Sequence, residues 1–451
     1  MEQVCVVGLG KIGLPLAAYL AWRGLPVVGG DINPAVVELV NRGRTPLAGE
    51  PDLATAVESA VAAGRLRATT DIARAVSTSG VVIVIVPLGL DAARRPDFTA
   101  LDRATLAVGA GLRPGTLVVY ETTVPVGTTR ERCAPRLAAT SGLRPGQDFA
   151  LAYSPERVMS GRVFADLARY PKLVGGLTPV CADRAVAFYR RALPAPVWSL
   201  SSLEVAEFAK LIETTYRDVN IALANEFACY AGQRGLDVQE AIRAANSQPY
   251  SHIHQPGLGV GGHCIPVYPY FLLHDTPDLF TLVPQARRVN DRMVDYGLAL
   301  LNQTLGGLAG QRVLVLGLTY RPGVRETANS CAWPLIGRLR AAGAMVLAHD
   351  PLLTAQEVEA SGAIPVDLDP PPLVDAVVVQ CWHAEYLDLD WRVFTGCRVL
   401  LDGRNHLDPQ RLTGTGLRYV GIGRLPVESR PERSFEPSVH PANDQPASEG
   451  T

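Results

Sequence analysis

The stretch Val4-Cys5-Val6-Val7-Gly8-Leu9-Gly10-Lys11-Ile12-Gly13, carried on through a mostly apolar segment to Trp22 and then Val27-Val28-Gly29-Gly30-Asp31, decides the fold of this 451-residue chain. Four consecutive apolar residues read as a strand buried on both faces, the kind that parallel sheets use. A glycine-rich turn, a helix through Trp22 and a second strand ending in an acid complete a β-α-β unit. In such a unit Gly8 makes the tight turn, Gly10 lets a pyrophosphate approach the backbone, and Gly13 lets helix and strand pack. Lys11 and Ile12 fill the loop, and the phosphates lie over the helix N-terminus, where unpaired N–H groups and the positive dipole end favour an anion. Asp31 is placed to accept from the ribose hydroxyls and to repel a 2'-phosphate, so NAD is the expected cofactor.

Working outward, further strands are expected at Val81 to Val86 and Leu117 to Tyr120. Both end in polar or turn residues, among them Pro87, Thr122 and Thr123, on the edge where doubly wound sheets bind ligands. From Ser201 to about Arg234 the apolar spacing of Val205, Phe208, Leu211, Ile212, Val219 and Leu223 predicts one long helix that links two lobes and offers a dimer surface. After Gly310 the alternation restarts, with strands expected at Val313 to Leu316, Met345 to Ala348, Ala376 to Gln380 and Arg398 to Leu401, and a helix around Pro334 to Ala341. Asp350 follows the second of these strands as Asp31 follows its own. The fold class is therefore α/β, two Rossmann-like domains joined by a long central helix. The expected division is 1–199, 200–305 and 306–426, with 427–451 a disordered tail because its Pro, Ser, Glu and Asn lack apolar periodicity.

The totals narrow the function. A net charge of −2 gives no general attraction to nucleic acid or anionic membrane, so neither partner is expected. No leader and no membrane-length apolar run is read, which points to a soluble, cytoplasmic protein. The eight cysteines are dispersed, without CxxC pairs, as in a reducing compartment. Of 42 basic residues only Lys11, Lys172 and Lys210 are lysine, so a lysine here is more apt to be needed as an ammonium. His252, His254, His263 and Cys264 are metal-capable types, but no metal is expected, because the glycines among them read as close backbone approach to a substrate or cofactor phosphate.

That loop, Gly257-Leu258-Gly259-Val260-Gly261-Gly262-His263-Cys264, ends in a thiol. A free cysteine is most often a small buried apolar group. Beside a nicotinamide it has another use: a thiolate can capture the aldehyde left by one oxidation and present it for a second.

Taken together, these motifs resemble the UDP-glucose/GDP-mannose dehydrogenase family, the nucleotide-sugar 6-dehydrogenases. The resemblance rests on the dinucleotide loop, Glu121 to Thr129 (ETTVPVGTT), Tyr153 to Val158 (YSPERV), Glu207 to Glu226, the loop ending at Cys264, Gly317 to Pro322 with Arg325-Glu326, and Asp402-Gly403-Arg404. Its SPERV and GVGGHC wording is most similar to the branch acting on UDP-N-acetylmannosamine or UDP-N-acetylglucosamine. The resemblance implies a four-electron, NAD-dependent oxidation of C6 of a UDP-sugar through a cysteine thioester, in a homodimer that serves surface polysaccharide or glycoconjugate synthesis. UDP-glucose oxidation is the alternative substrate reading.

Carried onto this chain, the resemblance makes Cys264 the nucleophile, Lys210 the oxyanion partner, and Glu156 with Thr123 the groups that activate and position water. It gives Arg157, Val158, Thr214, Arg217, Tyr250, His252, Gly261, Tyr320, Arg321 and Arg404 to the substrate side, and makes Arg325 reach the cofactor across the lobes. Three positions depart from the family pattern. Thr214 replaces an asparagine, Tyr250 falls where many members have an arginine, and Tyr268 replaces an aspartate four residues past the cysteine. A phenol with pKa near 10 is no base at neutral pH. Glu156, with its pKa raised in a dry site, is then the expected base. A single-hydride dehydrogenase and a nucleotide-sugar-binding protein without turnover are the rival readings.

Overall fold

The computed structural model describes residues 2–47 and 49–424, so the expected tail at 427–451 lies outside the described residues. The first domain is built on β1 (Val4–Val7), β2 (Val27–Gly30), β3 (Leu66–Thr69), β4 (Val81–Val84), β7 (Leu117–Tyr120), β8 (Ala150–Tyr153), β9 (Lys172–Gly176) and β10 (Val197–Leu200). A two-residue hairpin, β5 (Gly89–Leu90) and β6 (Pro96–Asp97), stands apart. The sheet order is β10-β9-β8-β7-β4-β1-β2-β3, parallel except where β9 runs against β8. Every residue of β1, β4, β7 and β8 is buried, as expected for strands covered by helices on both faces. Strand order reverses beside β1, between β2 and β4, and that switch point places the mouth of the first glycine loop.

The second sheet repeats the design with β11 (Arg312–Leu316), β12 (Met345–His349), β13 (Ile364–Pro365), β14 (Ala376–Val379), β15 (Val399–Asp402) and β16 (Arg418–Gly421), all parallel, in the order β13-β12-β11-β14-β15-β16. The kinship extends to one hydrogen bond. The Leu9 N–H donates to Asp31 Oδ2 at 2.8 Å, and the Leu318 N–H donates to Asp350 Oδ2 at 2.7 Å. Asp350 also accepts from the N–H groups of Thr319 and Leu352 and contacts His383, and the next helix does not begin until Ala332. The second loop has therefore lost the compact phosphate-binding turn of the first.

Between the sheets runs a 32-residue helix, Leu203–Arg234, capped at its start by the Ser202 side chain and ended by left-handed Gly235. Its buried face carries Glu207, Lys210, Thr214, Asp218 and Asn225, while Val205, Phe208, Ile212, Tyr216, Leu223, Phe227 and Tyr230 are exposed. Packed along it is Leu282–Leu305, a 24-residue helix that the apolar periodicity did not reveal, because its inward face includes Arg287 and Asn290. The strands β8, β9 and β10 were also missed. The first is only four residues between loops, β9 opens on a charged residue, and β10 is largely exposed.

The two long helices are joined by a buried polar chain. Arg287 pairs with Asp218 at 2.5 Å, the Asn290 amide donates to Asp218 Oδ1 at 2.8 Å, and the Asn225 amide donates to Asn290 Oδ1 at 2.9 Å. Asn225 Oδ1 then accepts from the Gly257 N–H at 2.9 Å, so the network ends on the loop that leads to Cys264. Removing one partner of a buried pair strands the other's charge at a cost of about 3–5 kcal/mol. Asp218→Ala is expected to destabilise the protein by about 3 kcal/mol in urea unfolding, and a loss below about 0.5 kcal/mol would show the network to be dispensable.

Candidate active site

The first glycine loop is tight where it turns and open where it faces outward. Gly8 has φ of +97°, and a Cβ at Gly13 would lie 1.8 Å from the Gly8 carbonyl oxygen, so neither position accepts a side chain without displacing the turn. A Cβ at Gly10 would meet nothing within 4 Å, leaving open space above the loop for a phosphate group. Thr122 donates to the Val86 carbonyl at 2.8 Å and fastens the end of β7 to the segment after β4 that leads into Pro87.

The ends of β7 and β8 bring together residues far apart in sequence. Thr123 follows β7, Glu156 follows β8, and Lys210 comes from the buried face of the central helix. Lys210 lies close enough to Glu156 for its charge to favour the carboxylate. Cys264 is the exposed thiol among the eight cysteines, whereas burial pushes Cys5 and Cys133 up to about 12. The Cys264 carbonyl accepts the Tyr268 N–H at 2.9 Å, which starts the short helix Tyr268–Leu273 and turns the phenol back onto the site. There Thr123 and Cys264 both lie close enough to the Tyr268 phenol to act on its charge. Burial, with the Cys264 sulfur beside it, holds this phenol well above its usual pKa, so it is a donor throughout the physiological range.

Glu156 differs from the expectation. Burial alone would raise its pKa, but the Lys172 ammonium at 2.7 Å, the Arg157 N–H at 2.7 Å and nearby Lys210 together hold it below the ordinary carboxylate value. Lys172 lies in no motif, and the scarcity of lysine was the one signal that could have marked it. Lys172 also pairs with Glu121 at 3.0 Å.

The second glycine loop is corrected too. A Cβ at Gly261 would lie 2.6 Å from that of Tyr320, a Cβ at Gly259 would lie 2.8 Å from the Cys331 sulfur, and one at Gly257 would lie 2.9 Å from the Arg404 guanidinium. These glycines allow close approach to the chain's own second domain. Arg404 donates to the Gly259 and Gln380 carbonyls, at 3.0 and 3.1 Å, and the Gly262 N–H donates to the Ala328 carbonyl at 2.8 Å.

Among the other expected substrate contacts, Thr214 is turned back into its helix, its hydroxyl sharing the Lys210 and Leu211 carbonyls at 3.1 and 3.0 Å. Threonine reaches these carbonyls readily. Arg157 pairs with Glu213 at 2.8 Å, Val158 packs against the first core, and Arg321 donates to the Ser160 carbonyl, bridging the two domains. Arg217 is exposed near His254; Tyr250, 92% exposed, and His252 also face outward. Arg325 is a correction: its guanidinium is held by both oxygens of Glu357, each at 2.8 Å, and by the Leu352 carbonyl, all within the second domain, so it does not reach across the lobes here. Glu326 makes the crossing instead. It pairs with Lys11 of the first loop at 2.9 Å and with His263 beside the thiol. Among the described residues no group of three or more His, Cys, Asp or Glu could hold a metal.

Comparison with known proteins agrees with this architecture. Residues 2–193 match the NAD binding domain of the UDP-glucose/GDP-mannose dehydrogenase family, 204–292 its central domain and 314–409 its UDP binding domain. The chain belongs to that family and is an NAD-dependent nucleotide-sugar dehydrogenase. It is 37% identical over 435 residues to the UDP-N-acetyl-D-mannosamine dehydrogenase of Pyrococcus horikoshii, covering 94% of this chain and 99% of that one. The Escherichia coli K12 enzyme of the same name is 36% identical over 343 residues, 73% of this chain and 80% of that one. The solved Pyrococcus horikoshii structure superposes with a TM-score of 0.87, at 36% identity over 94% of this chain and 99% of that one. The NDP-N-acetyl-D-galactosaminuronic acid dehydrogenase of Methanosarcina mazei gives a TM-score of 0.82, at 31% identity over 94% and 96%.

Gly262 has φ of +95° and stands where a Cβ would lie 3.0 Å from the Tyr320 ring. Gly262→Ala is expected to cost about 1–3 kcal/mol of stability through backbone strain and to lower turnover by at least tenfold by displacing the thiol. Unchanged melting and turnover would show that the loop is free to relax.

Proposed function

We propose that this enzyme oxidises C6 of UDP-N-acetylmannosamine to the uronic acid through a thioester on Cys264. The observation that carries the reading is one exposed thiol beside Tyr268 and Thr123, with Glu156 at the end of the neighbouring strand and Lys210 close enough to act on it. The choice of sugar is supported by the names of the two relatives described above. Gly8, Gly10 and Gly13 with Asp31 fit a dinucleotide, since the space above Gly10 is open while Gly13 closes on Gly8. Bound NAD supplies the hydride acceptor for each of the two oxidations.

The chain's residues do the rest. Lys210, a buried ammonium, stabilises the alkoxide formed when the C6 hydroxyl gives its proton to solvent water. The Cys264 thiol, its proton likewise passed to water, adds as thiolate to the aldehyde carbon, giving a thiohemiacetal whose oxidation leaves a thioester. Tyr268, which stays neutral beside Cys264 and Thr123, offers its O–H to the sulfur. Glu156 takes a proton from water as the water oxygen bonds to the thioester carbonyl; the C–S bond then breaks, giving the carboxylate and a thiolate that regains a proton. Arg157, Val158, Arg217, Tyr250, His252, Gly261, Tyr320, Arg321 and Arg404 form the substrate side, where guanidinium groups suit a diphosphate.

The protein acts in the cytoplasm, in surface polysaccharide or glycoconjugate synthesis, as a homodimer. The dimer is supported by the outward stripe of Val205, Phe208, Ile212, Tyr216, Leu223, Phe227 and Tyr230, a run of large apolar groups that water solvates poorly. Sedimentation equilibrium is expected to give twice the chain mass for the unmodified protein and the chain mass for Ile212→Asp with Phe227→Asp; a monomeric unmodified protein would refute the stripe's role.

The unmodified enzyme is expected to form two NADH per UDP-N-acetylmannosamine consumed. One NADH would indicate a simple alcohol dehydrogenase, and none would indicate a binding protein. Cys264→Ser is expected to lower acid formation by at least about a thousandfold while retaining UDP-sugar binding, measured by product analysis beside calorimetry. Uronic acid produced near the original rate would exclude covalent catalysis at this residue.

A further inference from the structure

Behind Glu156 lies a cluster that the proposed chemistry does not yet use. Glu121 directly follows β7, Lys172 begins β9, Tyr189 sits in the helix Pro179–Ala192, and all three are buried. Lys172 Nζ lies 2.7 Å from Glu156 Oε2 and 3.0 Å from Glu121 Oε1; Tyr189 donates to Glu121 Oε1, and Glu121 Oε2 is buried without a hydrogen-bond partner. Two carboxylates therefore share one ammonium. A surplus buried negative charge is costly, so such a group retains a proton instead of ionising both carboxylates. Burial, opposed by Lys172 and reinforced by Glu156, raises Glu121 to about 7.

The other groups around Glu156 do not replace Lys172. Arg157 directs its guanidinium to Glu213, and Asp166 is occupied by the Met159 N–H and Arg162. Lys210 approaches from the central helix, and Tyr153 lies within the electrostatic reach of Glu121. Burial drives Tyr153 and Tyr189 well above the usual phenol value, so both remain neutral. The balance at Glu156 is therefore set by two ammonium groups, with the cluster's one proton held on Glu121.

We propose that Lys172 and Glu121 are positioning residues for thioester hydrolysis: Lys172 keeps Glu156 ionised and fixed as the acceptor of water's proton, while Glu121 retains the cluster's proton and so leaves the ammonium's charge to Glu156. This rests on the reading of Glu156 as the hydrolytic base. Neither residue touches the reacting atoms. Removing Lys172's charge disfavours ionised Glu156, whereas a neutral side chain at Glu121 leaves it ionised.

The test is steady-state turnover against pH in the full-length enzyme, with the first-oxidation NADH burst measured in parallel. Lys172→Gln is expected to move the acidic limb of turnover up by about one pH unit or more, the scale of a neighbouring charge. Lys172→Arg is expected to restore it, and Glu121→Gln, which keeps the neutral form, to leave it in place, with the burst rate little changed. A limb that stays fixed in Lys172→Gln, or that moves in Glu121→Gln, would overturn the proposal. If Lys172→Gln does not fold, the position of the limb in Glu121→Gln alone decides. Glu156→Gln separates the two readings. If it turns over without accumulating a thioester by intact mass, the base assignment fails; if it stalls at the thioester while the Lys172→Gln limb stays fixed, only the positioning proposal fails.

Discussion

The structure depends on a central helix that is polar inside and apolar outside. Glu207, Lys210, Thr214, Asp218 and Asn225 face the protein interior, while a stripe from Val205 to Tyr230 faces outward. Every inward polar group needs a partner, since leaving it unpaired costs about as much as a lost hydrogen bond or more. Those partners supply the architecture. Glu207 accepts the Gly127 and Thr129 N–H groups, at 2.6 and 2.9 Å, and ties the helix to the loop after β7. Asp218 and Asn225 tie it to the second long helix and to the loop carrying Cys264. The helix orients the reacting groups because its polar side has nowhere else to be satisfied.

Scarce lysine marks the same cleft from three directions. Lys172 and Lys210 converge on Glu156 from β9 and the central helix, and Lys11 crosses from the dinucleotide loop to Glu326 of the second domain. Burial opposes the charge on Glu326, but its contacts with His263 and Lys11 outweigh it and hold the carboxyl below its usual value. A single side chain thus joins cofactor loop, thiol loop and second domain. The packing of Gly257, Gly259 and Gly261 on Arg404, Cys331 and Tyr320 makes that joint a surface and not one contact. The second domain therefore sets where the thiol stands.

Much of this was legible in the chain. β1, β2 and β7 fall where their apolar runs place them, because strands covered on both faces leave no alternation to misread. The long helix begins at Leu203, after a Ser202 cap. The helix Leu282–Leu305 was not legible, since Arg287 and Asn290 occupy its inward face and spoil the apolar period on which recognition relies. At the site, the first glycine loop and Cys264 could be singled out from local spacing. The partners of Glu156 could not: Glu121 and Lys172 lie 51 residues apart and meet only through the order of β7, β8 and β9.

Sequence by itself determined the class of fold and the dinucleotide loop, and singled out one thiol, Cys264. Each depends on short-range chemistry: glycine conformations, apolar runs, a cap, a cysteine after a turn. Tertiary structure alone decided what each charged group does. It turned Thr214 into its own helix, gave Arg325 to Glu357, pressed the second glycine loop against Tyr320, and lowered the pKa of Glu156 where burial alone would have raised it. The physical reason is that a carboxylate's state in a protein interior is set by the charges within a few ångströms of it, and sheet order, not sequence distance, brings those charges there.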